Sequence, residues 1–457
     1  MTASVHFVGI GGIGMSAIAA ILLERGEAVS GSDVSGSPIV DDLRRRGAKI
    51  AIGHDPRNVN GACAVVVSSA IDPQNPEYRY AAQAGVPIVR RGEMLRRIME
   101  GRRGIAVCGT HGKTTTTAMI AAALREGGID ASLVLGGIDV ATSTNAHHGV
   151  SPWFLTEADE SDGSFALLEP EIAIVTNIEN DHLASDEDLP KLVDAFDAFL
   201  GKLPEGGAAI VGIDNFSSRT LVQSARRART ITTGIAPQAQ LAASNVAFAE
   251  LGSSFDVISG GVCLGTVRLN VPGAMNVQNA LAAIAAAREL EIPFAHIARA
   301  LEEFRGVRRR FEIVARTARM TLVDDYAHHP TAVRATIEAA RHYHRGPLVV
   351  AFQPHRYTRT AHLAREFAAS LQDADAVYLA PVYAASEAEI DGVSERSIGT
   401  PLEAAGTRVR YVAAVEDLQP ALFAEAPPGA LVLMLGAGDI TAVCAAMARK
   451  LLENAPV

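Results

Sequence analysis

Aromatic side chains make up only 5% of this chain, with a single tryptophan. Hydrophobic residues are nonetheless 48% of the total, so the cores have to be filled by Ala, Val, Leu and Ile. That excludes an aromatic-rich β-sandwich and fits buried parallel strands covered by Ala-rich helices. Cysteines are few: Cys63, Cys108, Cys263 and Cys444. They are far apart and show no metal-binding spacing. Cys63 and Cys108 fall in strand-like apolar runs and read as buried free thiols of a reducing compartment. Positive charge is also short, with 41 Lys and Arg against 51 Asp and Glu, a net charge of −10. A nucleic-acid partner needs the opposite balance and is not expected. No apolar run approaches about 20 residues, so no membrane span is expected. The first residues show no basic segment leading an unbroken apolar one, so no signal peptide is read and a cytoplasmic location is expected.

Short apolar runs alternating with Ala-rich stretches fill the 457 residues. Val5–Gly9, Ala64–Ser68, Ile105–Cys108, Ile172–Thr176, Leu348–Phe352 and Ala430–Leu435 read as strands, each followed by helical sequence. This alternation predicts an α/β fold with parallel sheets. Three domains are expected at roughly 100–200 residues each. Basic stretches at Arg96–Gly104 and Arg308–Arg310 each precede a fresh strand, which places the domains at 1–100, 101–312 and 313–457. Between Gly206 and Leu269 the pattern is irregular, and a small extra sheet is expected in the middle domain.

Two glycine clusters carry the strongest chemical signal. Gly9-Ile10-Gly11-Gly12-Ile13-Gly14 follows a strand and opens a helix. Glycines let backbone approach a pyrophosphate, and the helix N-terminus supplies N–H donors. Ser32-Asp33 comes nineteen residues after Gly14, where a carboxylate can accept from ribose hydroxyls. NAD or another pyrophosphate nucleotide both fit. The second cluster is Gly109-Thr110-His111-Gly112-Lys113-Thr114-Thr115, again between strand and helix. Its Gly-Lys-Thr core has the physics of a P-loop: N–H groups around phosphate, a lysine on the outer phosphates and a hydroxyl for Mg²⁺. The loop is short, because Val107 occupies the place of the usual first glycine.

Acidic and histidine residues follow at strand ends. The run Pro152–Thr156 ends in Glu157-Ala158-Asp159-Glu160, whose hard oxygens suit Mg²⁺. Ile172–Thr176 leads through Asn177 to Asp181-His182, and His182 is a candidate second metal ligand. Further on, Asp324-Asp325-Tyr326-Ala327-His328-His329-Pro330 and Gln353-Pro354-His355-Arg356-Tyr357-Thr358-Arg359 each follow a strand. Both mix groups that recognise carboxylate and phosphate, and together they predict a functional cleft.

Taken in order, GIGGIGM, GTHGKTTT, EADESDGSF, TNIENDH, GVRRRFE, DDYAHHPT, FQPHRYTR and LGAGDI resemble the Mur ligases of peptidoglycan synthesis over essentially the whole chain. The FQPHRYTR segment turns the resemblance toward the alanine-adding branch. A murein-peptide recycling branch shares close versions of the other motifs. The resemblance implies an N-terminal Rossmann-like dinucleotide-type fold, a central P-loop ATPase-like parallel sheet and a C-terminal Rossmann-like α/β domain. It implies an ATP-dependent amide ligase with UDP-N-acetylmuramate and L-alanine as substrates and Mg²⁺ as cofactor. Gly11, Gly12, Ile13, Gly14, Ser32, Asp33, Ser68 and Ser69 would then hold the UDP part, which decides against NAD. Gly109 to Thr115 would hold ATP, with Lys113 on the phosphates and Thr114, Glu157 and His182 on magnesium. Asn276 would meet adenine, Arg310 the phosphates and Asp325 the ribose of ATP. His328, His355, Arg356 and Arg359 would line the L-alanine and reaction side. One departure stands out: where the family reads G-x-H-N, this chain has Gly273-Ala274-Met275-Asn276. A nucleotide sensor without turnover is the non-enzymatic alternative, disfavoured by the polar third-domain clusters.

Overall fold

A computed structural model describes residues 4–159, 163–180, 188–249 and 251–453. The chain forms two compact units. One comprises Met1–Ser244, Asp256–Val267 and Gln278–Glu302; the other comprises Asn245–Phe255, Arg268–Val277 and Glu303–Val457.

The first unit begins with a five-stranded sheet. Its strands are β1 (Ser4–Val8), β2 (Val29–Asp33), β3 (Lys49–Ile52), β4 (Ala62–Val67) and β5 (Ile88–Arg90), in the order β3-β2-β1-β4-β5. Among the described residues its strands pair in parallel, with Val5 opposite Val29 and Val65 opposite Ile88. Helices α1 (Ile13–Glu24), α2 (Pro38–Arg45), α3 (Pro76–Ala84) and α4 (Arg91–Met99) connect them. Local chemistry starts and stops these helices. Ser37 caps α2 by accepting from the Val40 N–H, with Pro38 in the first turn, and Asn75 caps α3 from the Glu77 and Tyr78 N–H groups. Gly85 ends α3 in the left-handed conformation that spares it a Cβ clash.

The second sheet of this unit centres on β6 (Arg103–Cys108). That strand lies between β9 (Trp153–Glu157) and β10 (Ile172–Val175), parallel to both. Helix α5 (Lys113–Glu126) leaves β6 directly, and β7 (Ser132–Val134) and β8 (Ala146–His147) close one edge. Past β10 come α6 (Leu189–Leu200), β11 (Ala208–Gly212), α7 (Phe216–Arg219) and β12 (Arg229–Gly234). Strands β13 (Leu241–Ala249), β14 (Gly252–Ser259) and β15 (Val262–Leu269) follow, then α8 (Ala274–Glu289) and α9 (Phe294–Glu303). The irregular stretch does not make a sheet of its own. Strand β13 pairs with β12, Thr233 opposite Leu241, so the order runs β15-β14-β13-β12-β11-β10-β6-β9-β7-β8 in one ten-stranded sheet.

The second unit is built on six strands. They are β16 (Glu312–Arg316), β17 (Met320–Asp325), β18 (Leu348–Phe352), β19 (Ala376–Leu379), β20 (Arg408–Tyr411) and β21 (Ala430–Leu435), ordered β16-β17-β21-β18-β19-β20. All pairs are parallel except the edge strand β16. Helices α10 (Pro330–Tyr343), α11 (Tyr357–Leu371), α12 (Arg396–Ala404), α13 (Leu418–Glu425) and α14 (Ile440–Glu453) complete it. Two apolar clusters cover the two faces of the sheet, and every residue of β18 and β21 is buried. Strands covered on both faces read as unbroken apolar runs.

The α/β class with a parallel-dominated set of three sheets is what the strand-helix alternation predicts. One burial expectation fails: Cys63 is exposed, because it stands at the start of β4 before that strand enters the sheet interior, whereas Cys108 is buried. Among the described residues no helix is long and apolar enough to cross a membrane. Phe154 of β9 is wholly enclosed beside the candidate site. Phe154→Ala should destabilise the first unit by about 3–5 kcal/mol. A denaturant titration read by circular dichroism checks this.

Candidate functional site

The turn from β6 to α5 is shaped by two glycines with positive φ, Gly109 at 119° and Gly112 at 83°. A Cβ on Gly109 would fall 2.3 Å from the Thr176 hydroxyl, and one on Gly112 would fall 2.4 Å from Asn279 Oδ1. Neither position admits another residue without movement. Val107 lies fully buried in the strand, so the turn begins at Gly109. The segment after β10 grips the turn from one side. Asn177 accepts from the His111 N–H (2.8 Å) and donates to the His111 carbonyl (3.1 Å), and Thr176 donates to that same carbonyl (2.7 Å). The Thr110 hydroxyl exchanges bonds with the backbone of Glu179. Asn279 of α8 holds the other side by accepting from Thr116 (3.2 Å).

Lys113 folds over this turn, its ammonium donating to the carbonyls of Gly109 (2.6 Å) and Thr110 (3.2 Å). The N-cap of α5 is Gly112, which has no side chain to cover the helix start, the setting in which first-turn N–H groups take an anion. Thr114 donates to Glu157 at 2.8 Å, and Gly136 N–H donates to the other Glu157 oxygen at 2.5 Å. A hydroxyl and a carboxylate side by side form a hard-oxygen pair that fits Mg²⁺. His182, the candidate second metal ligand, lies outside the described residues, as does Glu160.

In the five-stranded sheet the glycine turn precedes α1, whose first turn likewise has no side-chain cap. Asp33 accepts from the Gly11 N–H at 2.8 Å, and a Cβ on Gly11 would sit 2.8 Å from that carboxylate. Ser68 and Ser69 follow the C-terminal end of β4, half-buried and exposed respectively. Ser32 is different: it is wholly buried, and its hydroxyl donates to Glu77 at 2.5 Å. Glu77 also accepts from His6 (3.4 Å), Asn58 (2.6 Å) and the Asp55 N–H (3.2 Å). Burial pushes the Glu77 carboxyl up, but hydrogen bonds from His6, Ser32 and Asn58 outweigh it and bring the group to about 2.

In the second unit His328 and His355 stand with ring centroids 5.6 Å apart. The His328 Nδ1 lies 2.8 Å from the Tyr326 carbonyl, which can only accept, so Nδ1 carries the proton and Nε2 is basic in the neutral ring. Arg359 lies 3.4 Å from His355 Nδ1, and Tyr383 stacks on the His355 ring. Arg356 adopts a φ of 71° and pairs with Glu387 at 3.6 Å, while Glu387 also accepts from the N–H and hydroxyl of Thr358. Asp325 is buried, and its two oxygens accept from the Phe311 and Ala327 N–H groups at 2.7 Å. Burial raises its carboxyl pKa against the opposing charge of Arg310. Arg310 is exposed, 5.2 Å over the Tyr326 ring. Asn276 donates to the Pro272 carbonyl, and Met275 packs on the apolar core of this unit, a use a histidine would not serve.

Glu77, Asn279, Tyr383 and Glu387 were not singled out in the sequence, and each acts on a residue at least 28 positions away.

A glycine-turn sheet, then a P-loop sheet with an acidic strand end, then a His/Arg sheet define an ATP-using ligase architecture. Models of three domains match in that order: the Mur ligase family catalytic domain over residues 4–103, the Mur ligase middle domain over 107–287 and the Mur ligase glutamate ligase domain over 309–438. The chain belongs to the Mur ligase family. Among its relatives, the UDP-N-acetylmuramate–L-alanine ligase of Solibacter usitatus is 46% identical, covering 95% of this chain and 92% of that one. The enzyme of the same name from Desulforamulus reducens is 43% identical, covering 98% of each. The crystal structure of UDP-N-acetylmuramate–alanine ligase from Thermotoga maritima superposes with a TM-score of 0.86 at 30% identity, covering 98% of this chain and 99% of that one. A murein peptide ligase from Psychrobacter arcticus shares the fold, with a TM-score of 0.74 at 23% identity over the full length of both.

Gly112→Ala should weaken ATP binding by about 5- to 150-fold, since strain at such a position costs about 1–3 kcal/mol. Titration with a fluorescent ATP analogue measures this, with circular dichroism as the check on folding.

Proposed function

We propose that this chain is an ATP-dependent amide ligase that joins L-alanine to the lactyl carboxylate of UDP-N-acetylmuramate in peptidoglycan precursor synthesis. The observation that carries the reading is the 42–46% identity, over nearly the whole chain, to enzymes named for that reaction. The P-loop with Lys113 and the Thr114–Glu157 pair supplies the chemistry such a reaction needs.

A carboxylate is a poor acylating agent at neutral pH. Its oxygen attacks the γ-phosphorus of ATP, ADP leaves, and an acyl phosphate results. The amine of L-alanine then attacks the carbonyl carbon, phosphate departs and an amide remains. The first step is mainly positioning and charge neutralisation. Lys113 and the N–H groups at the start of α5 hold the phosphates, and Arg310 adds charge. Thr114 and Glu157 would hold Mg²⁺, which when bound supplies further neutralisation of phosphate charge. Gly11 to Gly14, Asp33, Ser68 and Ser69 hold the UDP part. Asn276 and Asp325 serve the nucleoside of ATP, Asp325 by fixing the Arg309–Phe311 turn from inside. The amine must lose a proton before it attacks, and His328, with Nε2 basic, takes that role. His355, Arg356 and Arg359 bind the amino-acid carboxylate side.

The test is ADP release by the purified protein with ATP, Mg²⁺ and UDP-N-acetylmuramate, with each of a panel of amino acids and the recycling tripeptide. Turnover is expected with L-alanine. A preference for the tripeptide would assign the chain to the recycling branch, and no ADP release with any of them would leave a nucleotide sensor. Lys113→Ala should lower turnover at least about 10²-fold; near-normal turnover would sink the loop assignment. His328→Ala should still form acyl phosphate, trapped by hydroxylamine, while amide formation falls. Full amide formation by that variant would remove His328 from the base role.

A further inference from the structure

The five-stranded sheet contains a buried charge that the ligase reading does not use. Glu77, in the first turn of α3, and His6, in β1, are both completely enclosed. The two carboxylate oxygens accept from His6 on β1, Ser32 on β2, and the Asp55 N–H and Asn58 after β3, while His54 Nδ1 lies 3.4 Å away. An ion held this way is costly unless its lone pairs are met, and here they are.

The direction of each bond follows from the carboxylate, which can only accept. Ser32 gives its proton to Glu77, so the Ser32 oxygen is left to accept. His54 Nδ1 lies 3.0 Å from that oxygen and therefore carries its proton toward it. The remaining nitrogen of the neutral ring, Nε2, is then an acceptor. His54 is mostly covered but keeps 17% side-chain exposure, and it follows Gly53, whose N–H donates to the Asp33 carbonyl at 2.7 Å. The ring thus lies against Ser32, which precedes Asp33 in β2, just past the C-terminal end of β3, the end of the strands where open α/β sheets take their ligands.

We propose that Glu77 is a positioning residue for the nucleotide-sugar site, acting through Ser32 and His54 so that His54 Nε2 accepts a hydrogen bond from a donor on the nucleoside, such as the imide N–H of a uracil ring. This rests on the reading that the UDP part binds on the first sheet. Ser32 serves that site from behind, as a relay between Glu77 and His54.

Steady-state kinetics with the full chain test it. His54→Ala should raise KM for UDP-N-acetylmuramate at least about tenfold while kcat and KM for ATP stay within about twofold, the signature of lost substrate binding. Glu77→Gln should do the same, and the double variant should be no worse than the poorer single one, because both act on one contact. His54→Gln, whose amide offers an acceptor, should lie closer to wild type than His54→Ala. Thermal unfolding is followed for each variant. If Glu77→Gln does not fold, the His54 pair alone decides. An unchanged KM in His54→Ala, equal KM values for His54→Gln and His54→Ala, or fully additive effects of Glu77→Gln and His54→Ala would each overturn the proposal. Asp33→Ala separates it from its foundation. If Asp33→Ala raises KM and His54→Ala does not, only the role of His54 and Glu77 falls. If neither does, the placement of the nucleotide on this sheet falls as well.

Discussion

The turn between β6 and α5 can exist only where two side chains are missing. Gly109 and Gly112 bend the backbone into a region closed to other residues, and the space their side chains would need is filled by Thr176, Asn177 and Asn279. The close approach is what makes the loop rigid, since Asn177 and Thr176 bond the His111 backbone from atoms a larger residue would push away. Rigid N–H groups aimed at one point bind phosphate without first having to be ordered. The central strands are apolar for the same reason: β6, β9 and β10 must be parallel and adjacent for Thr114, Glu157 and Asn177 to converge at their C-terminal ends.

Much of this was legible in the sequence. Strands covered on both faces are unbroken apolar runs, and Ile105–Cys108, Leu348–Phe352 and Ala430–Leu435 could be read almost to the residue. The glycine turns were legible because backbone geometry demands glycine there whatever the tertiary context. The stretch from Gly206 to Leu269 was misread because its strands alternate buried and half-buried residues, as in the pattern of Gly252–Ser259, and sequence does not say which sheet such a strand joins. Pairing with β12 decides that.

What was not legible is the set of residues that support the motifs. Glu77 sits 45 residues from Ser32, Asn279 163 residues from Thr116, and Glu387 29 residues from Thr358. A single buried glutamate at a helix start looks in sequence like any capped N-terminus, and only folding brings His6, Ser32, His54 and Asn58 around it. Ser32 shows the consequence. Its position in Ser32-Asp33 suggested a ligand contact, yet a hydroxyl beside a buried carboxylate has a stronger claim on its proton than an exposed ligand would.

The second unit applies the same logic to cations. Arg309 and Phe311 both take positive φ, and the buried Asp325 holds that turn by accepting from Phe311 and Ala327. Arg356 also takes positive φ, with its N–H donated to the Tyr383 carbonyl and its guanidinium beside Glu387. Such backbone persists only where surroundings over-determine it. In both turns a carboxylate placed by another part of the chain pins a backbone N–H next to an arginine, and the arginine is thereby directed before any substrate arrives. A lysine in either place would keep the charge but not the planar fork that reads a carboxylate or phosphate edge-on. Placement of the guanidinium by its own backbone, more than the count of positive charges, is therefore how an overall acidic chain would handle the anionic substrates proposed for it.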